Sequence, residues 1–133
     1  MNVIQAGAAI LVLAVAGCAS TSINEPPPLP PGAAALDDAQ ARDALVGKTF
    51  SGTSRKGHPY TISFRANGTD VFTMPPAAPE TEHWTMTNGL LCIDMKSLPK
   101  ECSRVNVMNN QYWLVDPSSG KVNNHLKLIG DGS

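Results

Sequence analysis

Three histidines and three of the carboxylates are the candidate metal ligands of this chain. The histidines are His58, His83 and His125. The carboxylates that could join them are Asp70, Glu80 and Glu82. Protein zinc sites usually combine such side chains at short, recognisable spacings. No pair here has a recognised ligand spacing, and each histidine falls on an outward strand position or a loop. We therefore predict no metal site and no cofactor.

The serines and the remaining carboxylates do not form a recognisable catalytic pattern. Ser118 and Ser119 lie in a turn without the glycine arrangement of a nucleophile elbow. Asp94 and Glu101 could act as acid and base only if a cleft brought them together. Charges on exposed strand faces are the simpler interpretation of these two carboxylates. The sequence predicts that the protein is not an enzyme.

Three aromatic side chains are candidates for a binding face. They are Trp84, Tyr112 and Trp113, in a chain with only 5% aromatic residues. Large aromatic side chains bind ligands and partners well, but they also dominate hydrophobic cores. We keep the three as candidate binding residues, although aromatic residues in such a chain are more often part of the core.

The N-terminus has the pattern of an export signal. The stretch from Val3 to Ala16 is almost wholly apolar, and no Asp, Glu, Lys or Arg precedes Glu25. This length suits the hydrophobic region of a signal peptide and is shorter than the roughly 20 residues of a transmembrane helix. Only the terminal amine supplies the positive charge expected before that region. A start upstream, or inefficient export, would account for this departure.

The apolar stretch ends in Val15-Ala16-Gly17-Cys18, which resembles the lipobox of bacterial lipoprotein precursors. The resemblance implies that residues 1–17 are a signal peptide and that Cys18 becomes the acylated N-terminus, carrying diacylglycerol and palmitate. Ala19 follows instead of the Asp that commonly marks inner-membrane retention. We expect an outer-membrane lipoprotein of the cell envelope with its domain facing the periplasm. An ordinary signal peptide with a chance cysteine is the alternative.

The two other cysteines, Cys92 and Cys102, form an even pair once Cys18 is acylated. In an oxidising compartment such a pair is expected to be bridged. They flank a predicted hairpin tip, and pairing about Ser97 sets them directly opposite, within disulfide reach. A metal or redox pair is the alternative, although the spacing is far from C-x-x-C and no histidine lies nearby in sequence.

Composition limits the size and the partners of the protein. Without residues 1–17 the chain is long enough for one small domain. The net charge is −1, and no basic run occurs. We therefore expect no nucleic-acid partner. The expected partners are the membrane, through the lipid anchor, and an envelope protein.

Residues 18–35 have the composition of a tether and residues 36–130 that of a folded domain. Pro26-Pro27-Pro28-Leu29-Pro30-Pro31-Gly32 excludes helix and sheet and predicts a semi-rigid spacer of polyproline type. A ligand for an SH3-like groove is the alternative for this segment. Asp37 and Gln40 then resemble a capping box for a short helix ending near Gly47.

From Lys48 onward the hydrophobic period is two, and turn residues recur at short intervals. The pattern predicts about eight short antiparallel strands in a meander, with Asn67-Gly68 and Asn88-Gly89 as tight turns. A mainly β fold follows, either a small up-and-down barrel or a strongly curled sheet, with one short N-terminal helix. The predicted inward residues are Phe50, Tyr60, Ile62, Phe64, Phe72, Met74, Trp84, Met86, Leu91, Ile93, Val105, Val107, Leu114, Leu126 and Leu128.

Several of these features together resemble a known family. The carrying residues are the helix, Leu45 to Gly52, Tyr60 to Gly68, Trp84 followed by Gly89-Leu90-Leu91-Cys92, and then Cys102 and Tyr112. The chain is similar here to small exported β-rich domains of α-proteobacteria, catalogued as the family of unknown function 995. The resemblance implies no activity and no catalytic residues.

Three functions remain open from the sequence. The first is a non-enzymatic envelope lipoprotein whose β domain binds a protein or a small ligand. The second is an inhibitor of a periplasmic or host hydrolase, of protease or lysozyme type, in which residues 95–101 would be a rigid reactive loop held by the disulfide. The third is an enzyme. We expect the first.

Overall fold

A computed structural model describes residues 24–96 and 98–131 of the 133-residue chain. Cys18 and Ser97, which carry two of the predictions above, lie outside the described residues. The elements are one helix, α1 (Asp38–Leu45), and nine strands. The strands are β1 (Ala34–Ala35), β2 (Lys48–Thr53), β3 (Pro59–Phe64), β4 (Thr69–Thr73), β5 (Glu80–Thr87), β6 (Leu90–Asp94), β7 (Glu101–Met108), β8 (Gln111–Val115) and β9 (Val122–Asp131).

Strands β2 to β9 form a closed antiparallel barrel. Each pairs with the next along the chain, and β9 returns to pair with β2, where Phe50 lies opposite Leu128. A small barrel of this kind removes the unpaired edges that an open sheet would expose. The predicted mainly β class, the up-and-down order and the single short helix are confirmed, and of the two predicted forms the barrel is the one adopted.

The two ends of the barrel differ in the length of the turns that connect the strands. Tight turns with left-handed backbone lie at one end, at Asn88-Gly89 and at Asn109-Asn110, with φ between 53° and 75°. Such values suit the two-residue hairpin turns that Asn and Gly favour. This end also carries α1, and we call it the closed end. The longer loops 54–58, 74–79, 95–100 and 116–121 lie at the other end, which we call the open end.

The helix begins with the predicted capping box. The Gln40 N–H donates to the Asp37 carboxylate at 2.8 Å, and the Asp37 N–H donates to the Gln40 side chain at 3.0 Å. Asp38 ties the helix to the barrel, because its carboxylate accepts the N–H groups of Asn88 at 3.0 Å and Gly89 at 2.6 Å. The helix is thereby held against the β5–β6 turn.

Strand β1 pairs with the part of the β7 edge that β6 leaves unpaired. Strand β6 pairs with β7 only between Glu101 and Ser103, so the edge of β7 beyond that point is available. Ala34 and Ala35 pair with this free edge, opposite Val107 and Asn106. Pairing to the barrel therefore begins within the segment that the sequence suggested as tether.

The closed end of the barrel is filled by apolar side chains. Phe50 lies at its centre, edge to face with Tyr112 at 5.1 Å and with Phe64 at 5.9 Å between ring centroids. Ala41 and Leu45 of the helix are fully buried over this cluster. Every residue predicted to face inward belongs to the core or packs against it. The apolar core closes one end and leaves the interior near the longer loops less densely filled.

Candidate ligand-binding cavity

The open end of the barrel leads into an interior cavity of about 470 Å³. This volume is in the range typical of small-molecule sites, which are mostly apolar with a few polar groups that orient the ligand. Its apolar walls include Tyr60, Ile62, Phe72, Met74, Leu91, Ile93, Met95, Leu98, Leu114 and Leu126. Its polar lining includes Glu80, Glu82, Glu101, Ser103, Asn123 and Asn124.

One wall is a hydrogen-bonded row of polar side chains. The Tyr60 hydroxyl donates to the Asn124 side-chain oxygen at 3.3 Å, and the Asn124 amide donates to Glu101 Oε1 at 2.8 Å. Gly52 lies opposite Tyr60 in the β2–β3 register. A Cβ at Gly52 would overlap the Tyr60 ring, so the absence of a side chain there creates the space for that ring.

A pair of buried carboxyl groups lies deeper in the barrel. Asp70 on β4 and Glu82 on β5 are direct register partners. Their exposed fractions are 0% and 3%. Glu82 lines the cavity, and the Asp70 oxygens receive no hydrogen bond from an N–H or hydroxyl group of the described residues. A proton on one of the two carboxyl groups would supply the missing donor and reduce the repulsion between them.

The surroundings of this pair raise the pKa of both carboxyl groups. Burial raises the pKa of Asp70. Burial, and then the hydrogen bond with Asp70 and its negative charge, raise the pKa of Glu82 to about 8. A pKa of about 8 favours a protonated Glu82 at neutral pH, and the macroscopic titration belongs to the two groups together.

Glu101 is a third carboxyl group of the cavity. Burial raises its pKa, while the charge of Arg55 and the hydrogen bond from Asn124 act in the opposite direction. We predicted Asp94 and Glu101 to be exposed strand charges. That is right for Asp94 and wrong for Glu101, which is half-buried and turned to the interior. The reason is parity, because Glu101 lies on the same face of β7 as Ser103 and Val105.

The chain before β1 reaches the rim of the cavity. The Asn24 N–H donates to the Arg55 carbonyl oxygen at 3.1 Å, and both Asn24 and Pro26 line the opening. The first part of the Pro-rich segment is therefore in contact with the loop 54–58 at the open end. A simple spacer would not contact the barrel, so this part of the predicted tether packs against the domain.

The aromatic candidates lie away from the cavity. Trp84 is in the closed-end core, where its indole N–H donates to the Thr69 carbonyl at 2.9 Å. Tyr112 packs in the same core. Trp113 lies on the outer face of the barrel but is nevertheless buried. Its ring centroid is 5.0 Å from that of His125. None of the three lines the interior cavity, and their role in binding stays a prediction.

Cys92 and Cys102 are register partners on β6 and β7, with Cα atoms 4.0 Å apart, and they form a disulfide. The predicted cross-strand placement is confirmed. The bridge lies on the outer face, since Leu91 and Ile93 point inward. It joins the two strands just before the loop 95–100 at the open end.

The other sequence candidates are dispersed. Ser118 donates from its hydroxyl to Asp116 at 2.6 Å within a turn, an ordinary loop arrangement. Within residues 24–96 and 98–131, no three His, Cys, Asp or Glu side chains converge as metal ligands would. In the same residues, no helix has both the length and the apolar content to cross a membrane.

The polar interior is what sequence reasoning missed. Asp70 has the same parity as the inward Phe72, and Glu82 has the same parity as Trp84 and Met86. Charged residues on an otherwise apolar strand face are the signal that was available.

No protein-family model matches this chain, and no curated protein or solved structure matches it either. The resemblance to lipoprotein precursors and to the family of unknown function 995 accordingly stays a prediction. The cavity is the feature of the molecule from which a function can be inferred.

Proposed function

We propose that this protein is a lipid-anchored envelope protein, acylated at Cys18, whose barrel binds a small, largely apolar ligand that carries a cationic or hydrogen-bond-donating group. The observation that carries the proposal is the cavity of about 470 Å³ with apolar walls and a buried carboxyl pair. Binding without catalysis is the role proposed for the barrel, and the outer membrane its location, with the domain facing the periplasm.

The chemistry of the interior supports this ligand class. Apolar walls contribute affinity through the area they remove from water. The carboxyl groups of Glu82 and Glu101 are acceptors for an ammonium or hydroxyl group. A cation beside Glu82 would favour the ionised form of this carboxyl group and pair with its negative charge, and such an attraction is stronger in a buried site than in water.

A pair of probes with equal chains and opposite head groups tests the ligand class. Decylammonium and undecanoate both carry a ten-carbon alkyl chain and differ in the charged group, so apolar burial is matched. We expect decylammonium to bind more tightly, measured by calorimetry, and Glu82→Gln to remove most of that preference. Asp94→Asn, at an exposed position on β6, is the control. Equal affinity for both probes, or binding of neither, would contradict the proposed ligand class.

The anchor is tested separately. Cys18→Ser should abolish incorporation of labelled palmitate and shift the protein from the membrane to the soluble fraction. Cys18 is chosen because it is the cysteine of the lipobox-like sequence. If the substituted protein still fractionated with membranes and the unaltered protein took up no palmitate, the anchor would be disproved while the ligand site remained.

A further inference from the structure

We infer that the open end of the barrel docks on a lipid surface rich in anionic head groups, so that the cavity opens toward the bilayer. This goes beyond ligand binding, since it assigns an interaction surface and an orientation. Three observations carry it: the charge of the open-end loops, an exposed leucine at the rim, and the path of the chain before β1.

The open-end loops are basic in a chain that is slightly acidic. The four loops carry Arg55, Lys56, Lys96, Lys100 and Lys121, all exposed, against one carboxylate, Asp116. Carboxylates flank these loops at Glu80 and Asp94, which are exposed, at the half-buried Glu101, and at Glu25 next to Asn24, so the positive excess is confined to the loops themselves. The net charge of the whole chain is −1. Basic loops of this kind are attracted to anionic lipid.

An apolar side chain projects among these charges. Leu98 is 59% exposed, between Lys96 and Lys100, and it also lines the cavity opening. Proline and alanine fill much of the neighbouring loop 74–79. Basic residues around an apolar tip are the combination that favours shallow insertion at a lipid interface. At the closed end, Ile129 is exposed to a similar degree, 56%, but it lies between Lys127 and Asp131, whose charges are opposite.

The chain path brings the proposed anchor to the same end. Asn24 is bonded to Arg55 at the rim. Asn24 is six positions after Cys18, so even a fully extended chain holds the rim within roughly 20 Å of the acylated residue. This step rests on the proposed anchor, whereas the charge and the exposed leucine do not.

The test is trypsin digestion of the full protein bound to the outside of vesicles. One sample contains phosphatidylglycerol vesicles and the other contains phosphatidylcholine vesicles. Cleavage after Lys96 and Lys100 reports on the docked loop, and the Cys92–Cys102 disulfide keeps the fragments joined until reduction. Arg65, exposed in the β3–β4 turn at the closed end, is the internal control site. We expect phosphatidylglycerol to slow loop cleavage by at least about fivefold, the equivalent of 1 kcal/mol, and to leave Arg65 unaffected.

Two matched variants separate docking from general tethering. Leu98→Ser should lose most of the protection, and Ile129→Ser should keep it. Salt at 1 M, where the Debye length is about 3 Å, should also remove most of it. Equal loop cleavage in both vesicles, or full protection in Leu98→Ser, would overturn the docking. A protein that still floats with both vesicles but is cleaved equally would be anchored without being docked, which distinguishes the two proposals.

Discussion

Asp70 and Glu82 are directly opposite one another across β4 and β5, and both are almost completely buried. Two carboxyl groups this close cannot both be ionised without a large electrostatic cost. The barrel therefore keeps a proton in its interior at neutral pH, within reach of a cavity that is otherwise mostly apolar. The pair is the feature that sets this cavity apart from a purely hydrophobic one.

The first prediction concerns stability against pH. The raised pKa of Glu82, about 8, means that the folded protein holds a proton which the unfolded chain releases above its ordinary value of 4.5. Stability therefore falls as pH rises through that window. The raised pKa values of Asp70 and Glu101 act in the same direction, and the lowered pKa of His125 acts against them below pH 6.5.

We expect the melting temperature to fall by several degrees between pH 5 and pH 8, and Glu82→Gln to flatten that decline. Calorimetric scans across this range make the measurement, with Asp94→Asn as the exposed control. Parallel curves for Glu82→Gln and the unaltered protein would show that the carboxyl pair does not hold the proton.

The second prediction concerns the cavity wall. Gly52→Ala places a methyl group against the Tyr60 ring, which must then move toward the cavity. We expect weaker binding of decylammonium and a loss of about 1 to 3 kcal/mol in stability, the usual cost of overpacking. Ser51→Ala on the same strand is the control. The double variant Gly52→Ala with Tyr60→Leu should regain part of the affinity, and no recovery would argue against this contact as the cause.

The third prediction concerns the disulfide. Replacing both Cys92 and Cys102 by alanine should lower the free energy of unfolding by about 2 to 3 kcal/mol, since the bridge restricts the unfolded chain. At about 4 to 8 °C per kcal/mol, the melting temperature should fall measurably. Thiol titration of the denatured protein, purified without reductant, should detect neither cysteine. Two reactive thiols would refute the bridge and reopen a metal or redox role for the pair.

The fourth prediction concerns the closed end. Asp38→Ala removes the acceptor for the N–H groups of Asn88 and Gly89 and should cost about 1 to 3 kcal/mol. Ligand affinity should be unchanged, because the helix lies at the end opposite the cavity opening. Asp43→Ala, exposed on the same helix, is the matched control and should have little effect on thermal unfolding. Equal losses in the two variants would disprove the role of the Asp38 contacts.

Much of the fold could be predicted because its signals are local. The inward positions follow from alternation along single strands, as in Tyr60, Ile62 and Phe64, and the Asn88-Gly89 turn follows from residues that tolerate positive φ. The capping box at Asp37 needs only residues three apart. The cysteine pairing needs only the register of one hairpin. Each of these features is determined by neighbouring residues, and the sequence alone was sufficient for them.

The candidate site depends on contacts between distant segments, which only the tertiary structure decides. Asp70 meets Glu82 because the β4–β5 register sets them opposite across a proline-rich loop, and no local rule determines that register. Glu101 reaches the interior beside Asn124 because β7 and β9 line the same cavity after closure of the barrel. Alternation shows which residues share a face of one strand. Burial and acidity depend on what the other strands place opposite that face, so the cavity and its carboxyl groups appear only when the barrel closes.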